Sequence, residues 1–234
     1  MKKKHLIIMF AKEPVAGRVK TRLQPEFTPE ESASLHSAFI VDLAQSLLVE
    51  NQYWDGWVSL AGDRTHPLIQ SLSKMGLVIV EQVSGTLGHK MASEIDRGLA
   101  AGYGTVTLIG SDSPTLPASL IKRAIDVVDV EKGVCFVPTF DGGFASITTC
   151  KPLPYLRGEI PWSQPHTLAA TIEHLKSAKT LSALTSFWYD VDQAEDVAFL
   201  ARHLLSMVDE NVATETRAWI ARKGFDALGR RSGS

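Results

Sequence analysis

The stretch HLIIMFAKEPVAGRVKTRL, residues 5–23, sets the pattern for the whole chain. Its apolar part, Leu6–Phe10, predicts a buried first strand. The segment that follows carries four cations against one anion between residues 12 and 22. In open α/β sheets, ligands bind beyond the carboxyl ends of the strands, which is where this segment begins. Its positive side chains therefore suit phosphate oxygens, although most charge runs of this kind are solvated surface loops.

Further apolar runs alternate with longer segments of helical period, which predicts βαβ units and a mostly parallel sheet. The predicted fold class is therefore α/β. The predicted strands are Leu6–Phe10, Trp57–Ala61, Leu77–Glu81, Thr105–Gly110, Val134–Pro138 and Phe144–Thr149. The predicted helices are a first one opened by the capping box at Thr28 and running to about Glu50, then His66–Lys74, His89–Ala101, Pro117–Val130, Pro165–Ser177, Ala194–Met207 and Thr214–Phe225.

Length and charge narrow the class of protein. The 234 residues suit one domain, which we place at residues 1–228, with a small polar tail over residues 229–234. A net charge of -2 argues against a nucleic-acid binder, and the apolar runs fall short of a membrane span. Two cysteines make no disulfide framework, so we expect both to be buried in a cytoplasmic protein. The sequence does not identify the oligomeric state, and a homodimer is possible.

The loop after the first strand is the strongest candidate for phosphate binding. Gly17 lets the backbone come close to a ligand, while Arg18, Lys20 and Arg22 can neutralise phosphate oxygens. The loop is not a Walker A motif, because it lacks the adjacent Gly-Lys-Thr. It also lacks the Gly-x-Gly-x-x-Gly of a dinucleotide-binding fold.

Four aspartates are candidates for metal binding or catalysis. Asp112 closes the strand Thr105–Gly110 and can hold Mg²⁺ or Mn²⁺, or else it caps the next turn. Asp141 can contact a sugar hydroxyl or act as a base, or it can bond its own turn. Asp190 and Asp192 alternate about a valine and would face one way in an extended segment. The sequence suggests Asp190 as a metal ligand and Asp192 as a helix cap.

Two weaker elements complete the set of candidate site residues. Gly88 and Lys90 lie at the start of a predicted helix and suit a base or phosphate contact. Trp162 offers a rigid aromatic side chain that can wall an acceptor pocket, and a core tryptophan is the alternative.

Motifs follow one another from residue 10 to residue 196: FAKxPxxGxVKTRL (10–23), GxLGxKM (85–91), GSDxPxL (110–116), PxxDGG (138–143), IPWS (160–163) and DVDxxED (190–196). In this order they resemble the DUF2064 group of bacterial GT-A-like transferases. That group is related to 2-phospho-lactate guanylyltransferases and is often described as glycosyltransferases of radical-SAM-associated clusters. Two positions depart from its pattern: Lys90 stands where arginine is usual, and Phe144 follows the glycine pair where tyrosine is usual.

The resemblance implies a nucleotide-diphospho-sugar transferase fold, a three-layer sandwich around a mostly parallel sheet. It also implies a divalent metal at Asp112 and nucleotide phosphates over Lys12 to Arg22. The acceptor would lie toward Gly142, Gly143 and Trp162.

Two transfer reactions fit these residues. In glycosyl transfer from a nucleotide-diphospho-sugar, the cations and a metal stabilise the departing diphosphate while Asp141 deprotonates a small acceptor. In nucleotidyl transfer, a phosphorylated acceptor attacks an NTP, and Lys20 and Arg22 offset charge on the leaving pyrophosphate. The density of cations in the first loop favours nucleotidyl transfer, and the resemblance favours glycosyl transfer. A non-catalytic nucleotide-binding protein is the third alternative.

Overall fold

The apolar run at the amino end forms a central strand of a sheet in the computed structural model, which describes residues 4–24, 26–48 and 52–225. The strands are β1 His5–Lys12, β2 Trp54–Ala61, β3 Val78–Glu81, β4 Thr105–Ile109, β5 Val134–Pro138, β6 Phe144–Thr149 and β7 Ser182–Leu184. Within these residues the sheet has the order β3-β2-β1-β4-β6-β5-β7. Both neighbours of β1 run parallel to it, with Ile8 opposite Trp57 on one side and Leu108 on the other.

β6 runs antiparallel to its neighbours β4 and β5. The turn at residues 139–143 joins β5 to β6 directly, and a short turn can connect only antiparallel strands. All other strand pairs of the described sheet are parallel. The carboxyl ends of β1, β4 and β5 therefore lie at one edge of the sheet, and the turn after β5 lies there as well.

Helices cover both faces of the sheet. They are α1 Pro29–Leu43, continued by a π-helical segment Ala44–Leu48, α2 Pro67–Lys74, α3 Leu87–Ala100, α4 Ala118–Glu131, α5 Thr167–Ser177, α6 Ala194–Ser206 and α7 Thr214–Arg222. One core packs α1, α2 and α4 against the sheet, and the core on the other face packs α3 and α5. A third core joins α1, α6 and α7. The predicted mostly parallel α/β sandwich is confirmed.

Most predicted elements are present, with small shifts at their ends. β5 and β6 have the predicted bounds. β7 was not predicted because it has only three residues, so no alternating pattern is visible. Cys135 is buried as expected, but Cys150 is only half-buried. The tail at 229–234 lies outside the described residues, and the single domain stays a prediction. No described helix has the length and apolar character needed to cross a membrane.

Asp42 fastens the last helix to the first. Its carboxylate accepts hydrogen bonds from the backbone N–H groups of Glu215 and Thr216, both 2.9 Å long, and from the Thr216 hydroxyl. These N–H groups belong to the first turn of α7, where no intrahelical acceptor is available. The contact thereby holds together the third core, which also contains Val191, between Asp190 and Asp192.

We expect Asp42→Ala to lower the free energy of unfolding by about 2 kcal/mol, because it leaves buried donors of α7 without an acceptor. Guanidinium denaturation followed by circular dichroism measures the change. Asp126→Ala is the control, since Asp126 forms an i,i+4 pair with Lys122 that is exposed to solvent and contributes little to stability. Equal losses in the two variants would contradict the role given to Asp42.

Candidate active site

A cavity of about 720 Å³ lies at the carboxyl edge of the sheet. This volume is within the range of clefts that bind cofactors and small substrates. The cavity lies beyond β1 and β4 and is bounded by the turn at residues 139–143 and the start of α5. Most of the residues selected from the sequence line it, namely Lys12, Arg18, Lys20, Arg22, Lys90, Asp112, Asp141, Gly143, Trp162, Asp190 and Asp192.

Lys20 connects the first loop to the acidic residues. Its ammonium lies 2.6 Å from Asp112 Oδ1 and 3.1 Å from Asp192 Oδ1, and it also donates to the carbonyl oxygen of Val191. Only 5% of the Lys20 side chain is exposed, whereas Asp112 is 43% exposed and faces the cavity. The first loop and Asp112 therefore lie on the same side of the sheet, as a shared polyphosphate site requires.

The ion pairs keep both partners charged. Burial opposes the charged form of Lys20, but the carboxylates of Asp112 and Asp192 outweigh it and raise the pKa of the ammonium. Desolvation also opposes ionisation of Asp112, but the positive charge of Lys20 lowers the pKa of this carboxyl below its ordinary value. At neutral pH the site therefore holds a charged Lys20 between two carboxylates.

Asp190 has an excess of negative charge around it. Burial, together with the neighbouring carboxylates of Asp141, Asp192 and Asp112, raises the pKa of Asp190 to about 6. Asp190 therefore interacts with three other carboxylates at one wall of the cavity, and Lys20 contacts two of these three.

Asp141 is held by its own turn. Its Oδ1 accepts hydrogen bonds from the Thr139 hydroxyl and from the Gly143 N–H, the second 2.9 Å long. The side chain of Asp141 thus bonds its own turn, which was the alternative to a catalytic role in the sequence analysis. The same residue also lines the cavity, so the turn fixes the position of its carboxylate there.

The remaining cations of the first loop differ from Lys20 in their exposure. Lys12, Arg18 and Arg22 are exposed, and all three line the cavity. The Lys12 ammonium donates to the carbonyl oxygen of Arg18 at 2.6 Å, and Arg22 Nη1 lies 3.5 Å from Asp192 Oδ2. Lys90, from the first turn of α3, reaches the cavity from another direction.

Three candidate glycines lie outside the cavity lining. Gly17 has a φ of +75° and open space where a side chain would be, so the backbone turn is what favours glycine there. A Cβ on Gly88 would lie 1.8 Å from the carbonyl oxygen of Leu156, and one on Gly142 would lie equally close to that of Pro165. These two glycines allow close packing of the chain around the site.

Some residues that line the cavity had no predicted role. His36 is buried in α1, where Nε2 lies 3.1 Å from the carbonyl oxygen of Lys12. Ser146 and Gln82 also line the cavity. Among the described residues, His36 Nδ1, Ser146 Oγ and Trp162 Nε1 are buried polar atoms without a hydrogen-bond partner. The sequence signal for His36 is a polar residue on a mostly apolar helix face, which also carries the buried Ser32 and Asp42.

Asp192 does not cap α6, which corrects the sequence prediction. The helix starts at Ala194, and Asp196 accepts from the backbone N–H groups of Asp192 and Gln193 at 2.9 and 2.7 Å. The capping residue pair is thus shifted by one position along the chain. The Asp192 side chain is free to pair with Lys20 and Arg22 instead.

The carboxylates of Asp112 and Asp190 fit a divalent cation. They are oxygen donors of the kind that Mg²⁺ and Mn²⁺ prefer, and the burial and neighbouring carboxylates that raise the pKa of Asp190 would also favour a cation beside it. Within the described residues, no group of three or more His, Cys, Asp or Glu side chains is arranged to hold a metal by itself. Phosphate oxygens of a ligand would have to complete the coordination.

We expect Asp190→Asn to raise the free energy of unfolding by about 2 kcal/mol at about pH 8, since it removes a charge that folding disfavours. The carboxyl has a pKa of about 6 when folded and 3.8 as a model value, so its destabilisation sets in as the pH rises from about 4 to about 6. Denaturant melts at several pH values measure the effect. It should vanish near pH 4, and a gain that is the same at every pH would contradict this explanation.

Solved structures of the same fold are similar over nearly the whole chain. The crystal structure of a protein from Desulfovibrio desulfuricans G20, provisionally described as a nucleotide-diphospho-sugar transferase, superposes with a TM-score of 0.85 at 26% identity and covers 97% of both chains. A cytidylyltransferase from Leptospira borgpetersenii gives a TM-score of 0.57 at 10% identity over 94% of both chains. 4-Diphosphocytidyl-2C-methyl-D-erythritol synthase from Anaerococcus prevotii gives 0.58 at 11% identity, covering 87% of this chain and 96% of its own.

The first of these structures confirms the predicted GT-A-like fold, and the other two share that fold with this chain at low identity. The comparison with curated proteins found no match. The family model described as "Uncharacterized protein conserved in bacteria (DUF2064)" matches residues 44–164, more than half of the sequence. The chain therefore belongs to the DUF2064 family.

Proposed function

We propose that this protein transfers a glycosyl group from a nucleotide-diphospho-sugar to a small acceptor, with Mg²⁺ or Mn²⁺. The observation that carries the proposal is the meeting of exposed cations and carboxylates around one cavity of about 720 Å³. A diphosphate needs positive side chains on one side, and a divalent cation needs carboxylates on the other. The D. desulfuricans protein, provisionally described as a nucleotide-diphospho-sugar transferase, supports the same class of reaction.

The phosphates would lie along Arg18 and Arg22, with Lys12 and Lys90 nearby. Arginine suits this role because its planar guanidinium can bond two phosphate oxygens at once. When bound to Asp112 and Asp190, the cation would supply charge neutralisation for the departing diphosphate.

In the transfer itself, the bond between the sugar's anomeric carbon and the diphosphate oxygen breaks, and a bond from the acceptor oxygen forms. Asp141 would accept the proton of the acceptor hydroxyl, and the nucleoside diphosphate would leave. The turn around Asp141 holds its carboxylate through Thr139 and Gly143. Trp162 would form the wall of the acceptor pocket. Gly142 packs closely against Pro165, three residues further along the chain from Trp162.

The use of the cations favours glycosyl over nucleotidyl transfer. The sequence suggested a dense cationic loop suited to a triphosphate. In the structure Lys20 is engaged by Asp112 and Asp192, so one cation of this loop is already paired. The cations left for phosphate oxygens suit a diphosphate better than a triphosphate.

The nature of the released product separates the alternatives. The purified protein is incubated with NDP-sugars or NTPs, Mg²⁺ or Mn²⁺, and panels of hydroxyl and phosphate acceptors. We expect release of nucleoside diphosphate. Release of pyrophosphate would instead indicate nucleotidyl transfer, and thermal stabilisation by nucleotides without either product would indicate a non-catalytic binding protein.

We expect Asp112→Asn to weaken metal-dependent nucleotide binding by about tenfold or more, because it removes a charged oxygen ligand. Isothermal titration with a nucleoside diphosphate, with and without Mn²⁺, measures the change, and circular dichroism checks the fold. Asp96→Asn is the matched control, since Asp96 pairs with Arg157 and does not line the cavity. Unchanged metal dependence in Asp112→Asn would show that the metal is bound elsewhere.

A further inference from the structure

Lys20 has no donor left for a phosphate. An ammonium group has three N–H donors. The structure gives them to Asp112 Oδ1, to Asp192 Oδ1 and to the carbonyl oxygen of Val191. A phosphate oxygen could contact Lys20 only if one of these hydrogen bonds were broken. Lys20 therefore differs from Arg18 and Arg22, which are exposed to the cavity.

The backbone also fixes Lys20 in place. It has φ and ψ of 48° and 39°, a left-handed conformation that costs a non-glycine residue about 1 kcal/mol. Its carbonyl oxygen accepts from the N–H of Leu23, which closes the short helical turn at Thr21–Leu23. The ring of Phe39 lies 5.6 Å from the ammonium and adds a cation–π contact. Such strain persists where the surrounding structure holds a residue in one position.

The charges around Lys20 are mostly negative, and they suggest what its fixed position does. Asp112, Asp141, Asp190 and Asp192 line the same cavity, Asp190 interacts with the other three carboxylates, and Lys20 is the nearly buried cation in direct contact with Asp112 and Asp192. A cluster of like charges at the wall of a cavity would attract free divalent cations strongly. One permanent positive charge reduces that attraction.

We propose that Lys20 is a built-in counter-ion of this carboxylate cluster, a positioning residue that orients Asp112 and Asp192 and does not contact the nucleotide. By weakening the cluster's attraction for free cations, it makes the divalent cation enter together with the polyphosphate. This inference rests on the proposed function, because it assumes a metal at Asp112 and Asp190.

The test measures metal binding without any reaction. Mn²⁺ is titrated into the full chain without nucleotide, and free Mn²⁺ is followed by electron paramagnetic resonance. The pH is held at about 8, above the pKa of about 6 of Asp190. We expect Lys20→Met to bind Mn²⁺ about tenfold more tightly than the unmodified protein, because a positive charge in direct contact with a metal ligand is lost.

Arg22→Met is the matched contrast, since it also removes a cation beside Asp192 but an exposed one. For this variant we expect Mn²⁺ affinity within about twofold of the unmodified protein, because solvent screens an exposed charge. Binding of a nucleoside diphosphate in the presence of a chelator should weaken in Arg22→Met and stay unchanged in Lys20→Met.

Two results would overturn the inference while leaving the proposed function intact. One is unchanged Mn²⁺ affinity in Lys20→Met, and the other is a loss of metal-free nucleotide binding in Lys20→Met as large as in Arg22→Met. Should Lys20→Met fail to fold, Lys20→Gln answers the same question, because an amide is neutral and can still donate to Val191. Absence of Mn²⁺ binding in all variants would overturn the metal assignment and this inference together, while product release tests the transfer separately.

Discussion

The geometry of the cavity depends on one buried ammonium group. Lys20 comes from the loop after β1, and its partners come from the end of β4 and from the segment before α6. A charge this deeply buried is tolerated only when it is paired and hydrogen-bonded, so the three segments are held at a fixed separation. A backbone hydrogen bond of 2.9 Å, from the N–H of Val191 to the carbonyl oxygen of Asp112, links two of these segments directly.

The acidic wall is electrostatically unfavourable in the protein by itself. Burial and the neighbouring carboxylates disfavour the charge on Asp190. The fold bears this electrostatic cost at the cavity, where a bound cation would relieve it. The third core makes this possible, because α6 and α7 pack around Val191 and keep the acidic segment in place. The packing of these helices thus offsets an unfavourable charge arrangement at the cavity.

Much of this arrangement was predictable from local sequence. The alternation of apolar runs and helical periods identified five of the strands of the described sheet, and a short β-like run after it identified β6. The rule for strand ends placed Asp112 and the first loop at the same edge. The partners of Lys20 were not predictable, because Asp192 is 172 residues away and no local pattern encodes such a pair. Gly88 shows a second limit: a glycine signals a close approach but does not reveal that Leu156 lies opposite.

The reversed direction of β6 has a consequence for how the family can vary. After β6 the chain has left the carboxyl edge, and it returns there first through the segment that carries Trp162 and later through the segment that carries Asp190 and Asp192. Residues 163–166 of the first return path are exposed and belong to none of the strands that pair with β1. Substitutions in this segment can therefore remodel one side of the cleft without changing the pairing of β1 with β4.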